Sequence, residues 1–170
     1  MRGFTLVEIL VASLIMSIIM AAVFVTLSIG ERSWFAGDVT IQLRDQTMQA
    51  VATMNRELSA TRPSRINIVI GASSNTITFS IPNDNNGDGR VVDNAGNIEW
   101  SGNITYLLNN SNQIVRNFGG ASTILGNDII GLLFTRTQDS LIQVDITASK
   151  TSLSRRQIQD AEQVIIKLRN

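Results

Sequence analysis

The chain has neither cysteine nor histidine among its 170 residues. Without cysteine there is no disulfide framework and no thiolate chemistry. Without histidine the commonest general base and the commonest transition-metal ligand are both missing. The phosphate-binding patterns GxxxxGKS/T and GxGxxG do not occur either. We therefore predict that the protein is not an enzyme.

An excess of charge of one sign is also lacking. Fourteen basic residues balance fourteen acidic ones, so the formal net charge is zero. No overall field favours nucleic acid or an acidic membrane surface. Aromatic residues make up only 5% of the chain and are not interleaved with clustered basic residues. We therefore predict no dedicated nucleic-acid site.

The N-terminus is strongly apolar, and residues 3–30 contain one charged residue, Glu8. The 21 residues at 9–29 carry no charge, and as a helix they would span about 32 Å, against a hydrocarbon core of roughly 30 Å. We predict a transmembrane helix. A cleaved secretory signal is the alternative, but the apolar run is too long and no small-x-small site ends it.

A carboxylate in hydrocarbon costs about 2.5–3.5 kcal/mol. Glu8 should therefore have a partner, and the chain offers no basic residue nearby.

The stretch GFTLVE at residues 3–8, followed at once by the apolar run, resembles the processing motif of type IV prepilins and type II secretion pseudopilins. The resemblance implies that prepilin peptidase cleaves between Gly3 and Phe4 and methylates the new amine of Phe4. It also implies that Glu8 pairs with the Phe4 ammonium of a neighbouring subunit in a filament. Such a pair is strongest where water is excluded, and it favours register more than bulk stability.

The chain differs from major pilins in two respects, and these differences narrow the class of pilin that it resembles. Major pilins often carry a glycine and a proline within this helix, whereas residues 16–18 and 24–26 here read MSI and FVT. Many also close a C-terminal loop with a disulfide, which this chain cannot form. The ending VIIKLRN and the stretch MNREL at residues 54–58 are similar to J-type minor pseudopilins and PilW-type minor pilins. The resemblance therefore favours a minor pilin or a pseudopilin.

Helical periodicity continues beyond the membrane segment. Apolar residues recur at Ile41, Met48, Val51, Met54 and Leu58, which predicts an amphipathic helix that packs within the chain after about residue 45. Since a residue before proline disfavours helix, we expect the helix to end near residues 60–61, just before Pro63.

From residue 65 onward, apolar residues recur at every second position, which is typical of strands. It predicts an antiparallel sheet with hairpin loops at residues 71–75 and 109–112 and polar excursions at residues 82–97 and 149–162. The strand signals lie at residues 66–70, 77–81, 104–108, 114–115, 129–135, 142–146 and 164–168.

The predicted fold class is α+β and pilin-like: a long N-terminal α-helix, transmembrane in its first half, packed on an antiparallel β-sheet head. The predicted divisions are a prepilin leader at 1–3, a transmembrane or filament-core helix at 4–30, an amphipathic continuation at 31–62 and a β-rich head at 63–170.

The stretch NDNNGDGRVVD at residues 83–93 is a candidate calcium loop. Its spacing matches the first half of an EF-hand loop, in which alternate oxygens bind calcium and a glycine permits the sharp turn. The twelfth position, which should hold a bidentate carboxylate, is Ala95. The alternative is a tight turn without metal, which these residue types also favour. The candidate ligands are Asp84, Asn86, Asp88, the carbonyl of Arg90, and Asp93.

Together these observations predict a structural subunit, a minor pilin or pseudopilin of a type IV pilus or a type II secretion-like filament. Its predicted partners are other pilin or pseudopilin subunits, prepilin peptidase, the inner-membrane assembly platform and, before assembly, membrane lipid. We expect a single-pass protein of the cytoplasmic membrane with an extracytoplasmic head, later part of a cell-surface or periplasmic filament. One alternative is a monomeric, membrane-anchored binding or adhesin domain. A weaker one is a membrane-tethered enzyme with an unfamiliar carboxylate site.

Overall fold

The computed structural model describes residues 5–152 and 155–169. One long helix, α1, is followed by a short 3-10 helix at Pro63–Arg65 and by eight strands in these residues. The predicted α+β, pilin-like architecture is confirmed. Helix α1 spans Leu6–Ala60, and the strands are β1 Ser73–Ser74, β2 Thr76–Phe79, β3 Ile104–Leu108, β4 Ile114–Phe118, β5 Ala121–Gly126, β6 Ile129–Gln138, β7 Leu141–Thr151 and β8 Gln157–Lys167.

Helix α1 has 55 residues, which corresponds to a length of about 83 Å. It ends where Pro63 predicts, because Arg62 is held in an extended conformation with φ −107° and ψ 154°. Thr61 caps the end: its N–H donates to the Leu58 carbonyl at 3.2 Å, and its hydroxyl donates to the Ser80 carbonyl at 2.5 Å. The second bond ties the end of α1 to the sheet.

The second half of α1 packs on the head through one face. The buried residues of this face recur at steps of three or four, as an amphipathic helix requires, and they are Leu43, Thr47, Ala50, Met54 and Leu58. Two residues of the predicted apolar stripe are on another face, because Ile41 is 70% exposed and Met48 is 55% exposed. The prediction that Met48 packs within the chain is therefore wrong.

The strands form two four-stranded antiparallel sheets, ordered β1-β6-β7-β8 and β2-β3-β4-β5. Strands β1 and β2 are separated only by Asn75, so one length of chain joins the two sheets. Helix α1 contacts β8, β5 and β7, and β8 and β5 are edge strands of different sheets. The hydrophobic core therefore lies between the helix and the inner faces of both sheets.

The structure corrects the predicted strand at residues 66–70. Residues 63–65 form a 3-10 helix, and Ile66 makes only an isolated bridge with Phe79. Strand β2 pairs instead with β3. The Ile68 carbonyl accepts a bond from the Arg136 guanidinium at 2.9 Å, so a side chain takes the acceptor that a neighbouring strand would have used.

The polar excursion predicted at residues 149–162 is also wrong. Strand β7 continues to Thr151, and β8 begins at Gln157 and pairs with β7 along its whole length. Its exposed residues alternate with half-buried or buried ones, and the half-buried set includes the acidic residues Asp160 and Glu162, so the polar composition is that of a partly exposed edge strand. Strand β5 was not predicted, because its small and polar residues are mostly exposed and give no apolar alternation.

Candidate functional site

The predicted processing residues, Gly3 and Phe4, lie outside the described residues. Their roles in cleavage and methylation therefore remain predictions. The described chain begins at Thr5, which is the N-cap of α1.

Glu8 takes part in a capping box with Thr5. The Thr5 hydroxyl accepts a hydrogen bond from the Glu8 N–H at 3.3 Å. The Glu8 Oε2 accepts bonds from the Thr5 N–H at 2.9 Å and from the Thr5 hydroxyl at 3.1 Å. This arrangement satisfies N–H groups that the start of a helix leaves unpaired, and the carboxylate lies at the positive end of the helix dipole. Sequence reasoning considered only cationic partners and missed the T-x-x-E signature.

The apolar part of α1 packs against no other part of the chain that the structure describes. None of its most apolar stretch of 18 residues is buried. The helix is long and apolar enough to cross a membrane. Its hydroxyls donate back to the helix, from Ser13 to the Leu10 carbonyl at 2.9 Å and from Ser17 to the Ser13 carbonyl at 2.8 Å. These polar groups are therefore satisfied without water.

An aromatic pair follows the apolar segment on α1. Trp34 is 79% exposed and Phe35 is 44% exposed, and tryptophan is enriched at the membrane–water interface. Beside Trp34 is an open groove of about 450 Å³ whose lining includes Gly30, Gly37 and Ile41. This part of α1 thus presents an uncovered apolar surface just beyond the predicted membrane segment.

The predicted calcium ligands lie in a loop held by bonds from carboxylates and amides to the backbone. Asp84 accepts from the N–H groups of Gly87 and Gly89, both at 2.7 Å. Asn86 accepts from the Asp88 N–H at 2.9 Å, and Asp88 from the Arg90 N–H at 2.8 Å. The Gly89 N–H bond, followed by the bond from Gly87, lowers the pKa of Asp84 despite partial desolvation. Both glycines have positive φ, 78° and 82°, which suits a sharp turn.

Glu99 also holds this loop, and sequence reasoning missed it. Its carboxylate accepts from the Asn85 N–H at 2.7 Å and from the Asn86 side-chain amide at 2.8 Å. The Asn85 side chain in turn donates to the Trp100 carbonyl at 2.9 Å. Glu99 therefore ties the loop to the segment that returns to the sheet.

Asp93 caps a separate turn. Its carboxylate accepts from the Asn97 N–H at 2.8 Å and from the Ala95 N–H at 2.9 Å. The Asn97 N–H, with help from the Asn97 side chain, lowers the pKa of Asp93. Within residues 5–152 and 155–169, no three acidic side chains come together in a way that could hold a metal ion. A calcium ion here would need amide and carbonyl oxygens in addition to the carboxylates of Asp84 and Asp88, and calcium binding remains a prediction.

A further polar cluster, absent from the sequence predictions, joins α1 to the head. The Arg116 guanidinium pairs with the Glu57 carboxylate, with Nη2 at 3.0 Å from Oε1 and Nε at 3.0 Å from both oxygens. The Tyr106 hydroxyl donates to the same carboxylate. Burial and then the Glu57 hydrogen bond raise the pKa of Tyr106, and the Glu57 hydrogen bond raises the pKa of Arg116. Both groups stay protonated, so the cluster acts as a structural tie.

The comparisons with known proteins agree with the N-terminal features. Residues 1–24 match the family described as the prokaryotic N-terminal methylation motif. No curated protein and no solved structure gives a significant match. The motif, the long apolar helix and the β-sheet head fit a processed, membrane-anchored precursor. The chain therefore carries, over residues 1–24, the signature of type IV prepilins and pseudopilins.

Proposed function

We propose that the protein is a minor pilin or pseudopilin, a structural subunit of a type IV pilus or a type II secretion-like filament. The main support is that the apolar half of α1 has no packing partner among the described residues, while the other half is packed on the head. Lipid covers such a helix before assembly. In a filament the equivalent helices of neighbouring subunits cover it, because apolar packing and exclusion of water are available there too.

Processing and assembly are linked through Glu8 in this proposal. Only Oε2 of Glu8 is used by the capping box, and Oε1 has no hydrogen-bond partner among the described residues. Prepilin peptidase would create an ammonium on Phe4, and that ammonium of a neighbouring subunit could approach Oε1 without breaking the cap. The cap fixes the direction of the carboxylate, so the ion pair would set the axial register between subunits.

The proposed partners are other pilin-like subunits, prepilin peptidase and the inner-membrane assembly platform. The proposed location is the cytoplasmic membrane with the head outside the cytoplasm, and after assembly a cell-surface or periplasmic filament. The uninterrupted helix favours a minor subunit over a major pilin, because α1 runs from Leu6 to Ala60 without a break.

Cysteine cross-linking in the native host tests this proposal, since the chain has no cysteine of its own. Single variants Leu14→Cys and Ile18→Cys place a thiol on the uncovered half of α1. We expect oxidation to link the chain to other pilin-like subunits carrying a cysteine at the matching helix position. Asn55→Cys, on an exposed part of the packed half, is the matched control. A chain that stays monomeric in both membrane and filament fractions would instead support the anchored binding domain.

A further inference from the structure

Two arginines and a tryptophan meet just beyond the C-terminal end of α1. The guanidinium carbon of Arg65 lies over the Trp100 ring at 4.9 Å from its centroid, and that of Arg62 at 5.9 Å. These are cation–π distances. Arg62 immediately precedes the 3-10 helix and Arg65 ends it, so the two side chains are presented by one rigid turn.

Neither arginine is neutralised. Among the described residues, no carboxylate forms an ion pair with Arg62 or Arg65, and neither side chain donates a hydrogen bond. The Nε–H of Arg62 is buried and unbonded. A buried donor without an acceptor is destabilising. Two cations held on one ring also repel each other, and a carboxylate at their exposed N–H groups would relieve that repulsion.

We propose that Arg62, Arg65 and Trp100 form a docking site for the carboxylates of an acidic protein segment. A guanidinium stacked on an aromatic ring keeps its in-plane N–H groups available, and their geometry matches a carboxylate. The ring holds both side chains in place, so less conformational entropy is lost on binding. The site goes beyond assembly through α1 and does not require a filament.

The position and surroundings of the site favour a protein over other anions. Helix α1 runs about 45 Å beyond residue 30, so the headgroups of the membrane that holds the chain are out of reach. The adjoining stretch, residues 83–100, has four acidic residues and one basic residue, which would repel the continuous row of phosphates in a nucleic acid more strongly than a short segment with a few carboxylates.

Apolar surface beside the site supports the same choice. Val69 and Ile70 are 69% and 58% exposed. They line an open groove of about 520 Å³ together with Pro63 and Ser64, the residues between the two arginines, and with Arg136 and Asp139, which form an ion pair with each other. A segment carrying both acidic and apolar side chains would cover the groove and neutralise the arginines at once.

The test uses the full chain in nonionic detergent with Trp34→Phe, which leaves Trp100 as the only tryptophan. The probe is a capped peptide of alternating glutamate and leucine, and the matched probe has glutamine in place of glutamate. Inorganic phosphate and oligothymidylate are titrated in parallel. We expect a saturable change in Trp100 fluorescence with the glutamate peptide, and much weaker binding of the other three.

Arg65→Gln should weaken binding of the glutamate peptide by about tenfold or more, as loss of charged hydrogen bonds predicts. Arg56→Gln, an exposed arginine on α1, should leave it unchanged. If circular dichroism shows that Arg62→Gln does not fold, the Arg65→Gln variant still tests the proposal, because Arg65 is exposed. The proposal would be overturned if the glutamine peptide bound equally well, or if oligothymidylate or phosphate bound more tightly. It would also be overturned if Arg56→Gln caused an equal loss of binding, or if no peptide bound saturably.

Discussion

Glu8 caps its own helix, and in the proposed function it also pairs with a neighbouring subunit. One carboxylate oxygen completes the capping box with Thr5, and the other has no partner among the described residues. The two tasks can be separated by mutation because glutamine also completes a capping box but carries no charge.

Glu8→Gln should therefore insert into the membrane and keep its helix start, but enter filaments poorly, because it cannot pair with an ammonium. Thr5→Val makes the opposite change: it removes the cap, at a cost of about 1 kcal/mol to the helix, and keeps the carboxylate. We expect Thr5→Val to assemble. Immunoblots of membrane and filament fractions compare the two variants. Normal incorporation of Glu8→Gln would show that its charge has no role in assembly.

The tie between Glu57 and Arg116 should matter more for stability than the Tyr106 hydroxyl. Arg116→Met leaves a mostly buried carboxylate without its cation, and we expect a loss of about 3 kcal/mol in the free energy of unfolding. Tyr106→Phe keeps the ion pair and should cost about 1–2 kcal/mol. Urea unfolding followed by circular dichroism measures both. A larger loss in Tyr106→Phe would mean that the hydroxyl, rather than the ion pair, holds α1 on the sheet.

At the scale of elements, the helix and most strands could be predicted because their signals are local. Pro63 marks the end of α1, and alternation marks β3 and β7. The polar loop at residues 82–97 was also recognisable from its composition. Contacts between distant parts of the chain could not be predicted. Glu57 and Arg116 are 59 residues apart, and no local pattern brings Arg62 to Trp100. The Thr5–Glu8 cap is the exception, since its signature was present in the sequence.

The carboxylates of Asp84 and Asp93 should make the loop sensitive to acid. Backbone N–H groups lower the pKa of both below the ordinary value of 3.8. Their contribution to stability is thus complete above about pH 4 and is lost as the pH falls through the lowered values. Thermal unfolding from pH 6 to pH 2 should show a smaller loss of stability below pH 4 for Asp84→Asn with Asp93→Asn than for the unchanged chain. Asp160→Asn, on β8, is the control. Identical acid profiles would contradict this assignment.

Calcium binding by the same loop has a separate test. A ligand that binds only the folded state adds about 2.7 kcal/mol at a hundredfold excess over its dissociation constant. The chain in detergent should therefore melt at a higher temperature in millimolar calcium than in chelator. Asp84→Ala with Asp88→Ala should remove the difference, and Asp160→Ala should keep it. If the unchanged chain melts at one temperature in both solutions, the loop is a turn without metal.

For the whole molecule, the first event should be removal of the leader. Intact mass measured on protein from its own host should lack residues 1–3 and include one methyl group on Phe4. Gly3→Trp should block cleavage, because a bulky residue replaces the glycine of the motif, and the precursor should stay in the membrane. Gly30→Ala, in α1 and outside the motif, should be processed normally. Full-length, unmethylated chain from cells with active peptidase would contradict the processing prediction.

The unbroken course of α1 also determines how a subunit responds to pulling. A helix rises about 1.5 Å per residue and an extended chain about 3.3 Å, so each residue that melts under tension lengthens the subunit by about 2 Å. Helix α1 has no proline, and its only glycines are Gly30 and Gly37. It therefore has few positions at which the helix would melt under tension. In a filament of such subunits, tension would be transmitted along α1 without much extension of the helix. Neighbouring helices would then slide past one another before any one of them stretched.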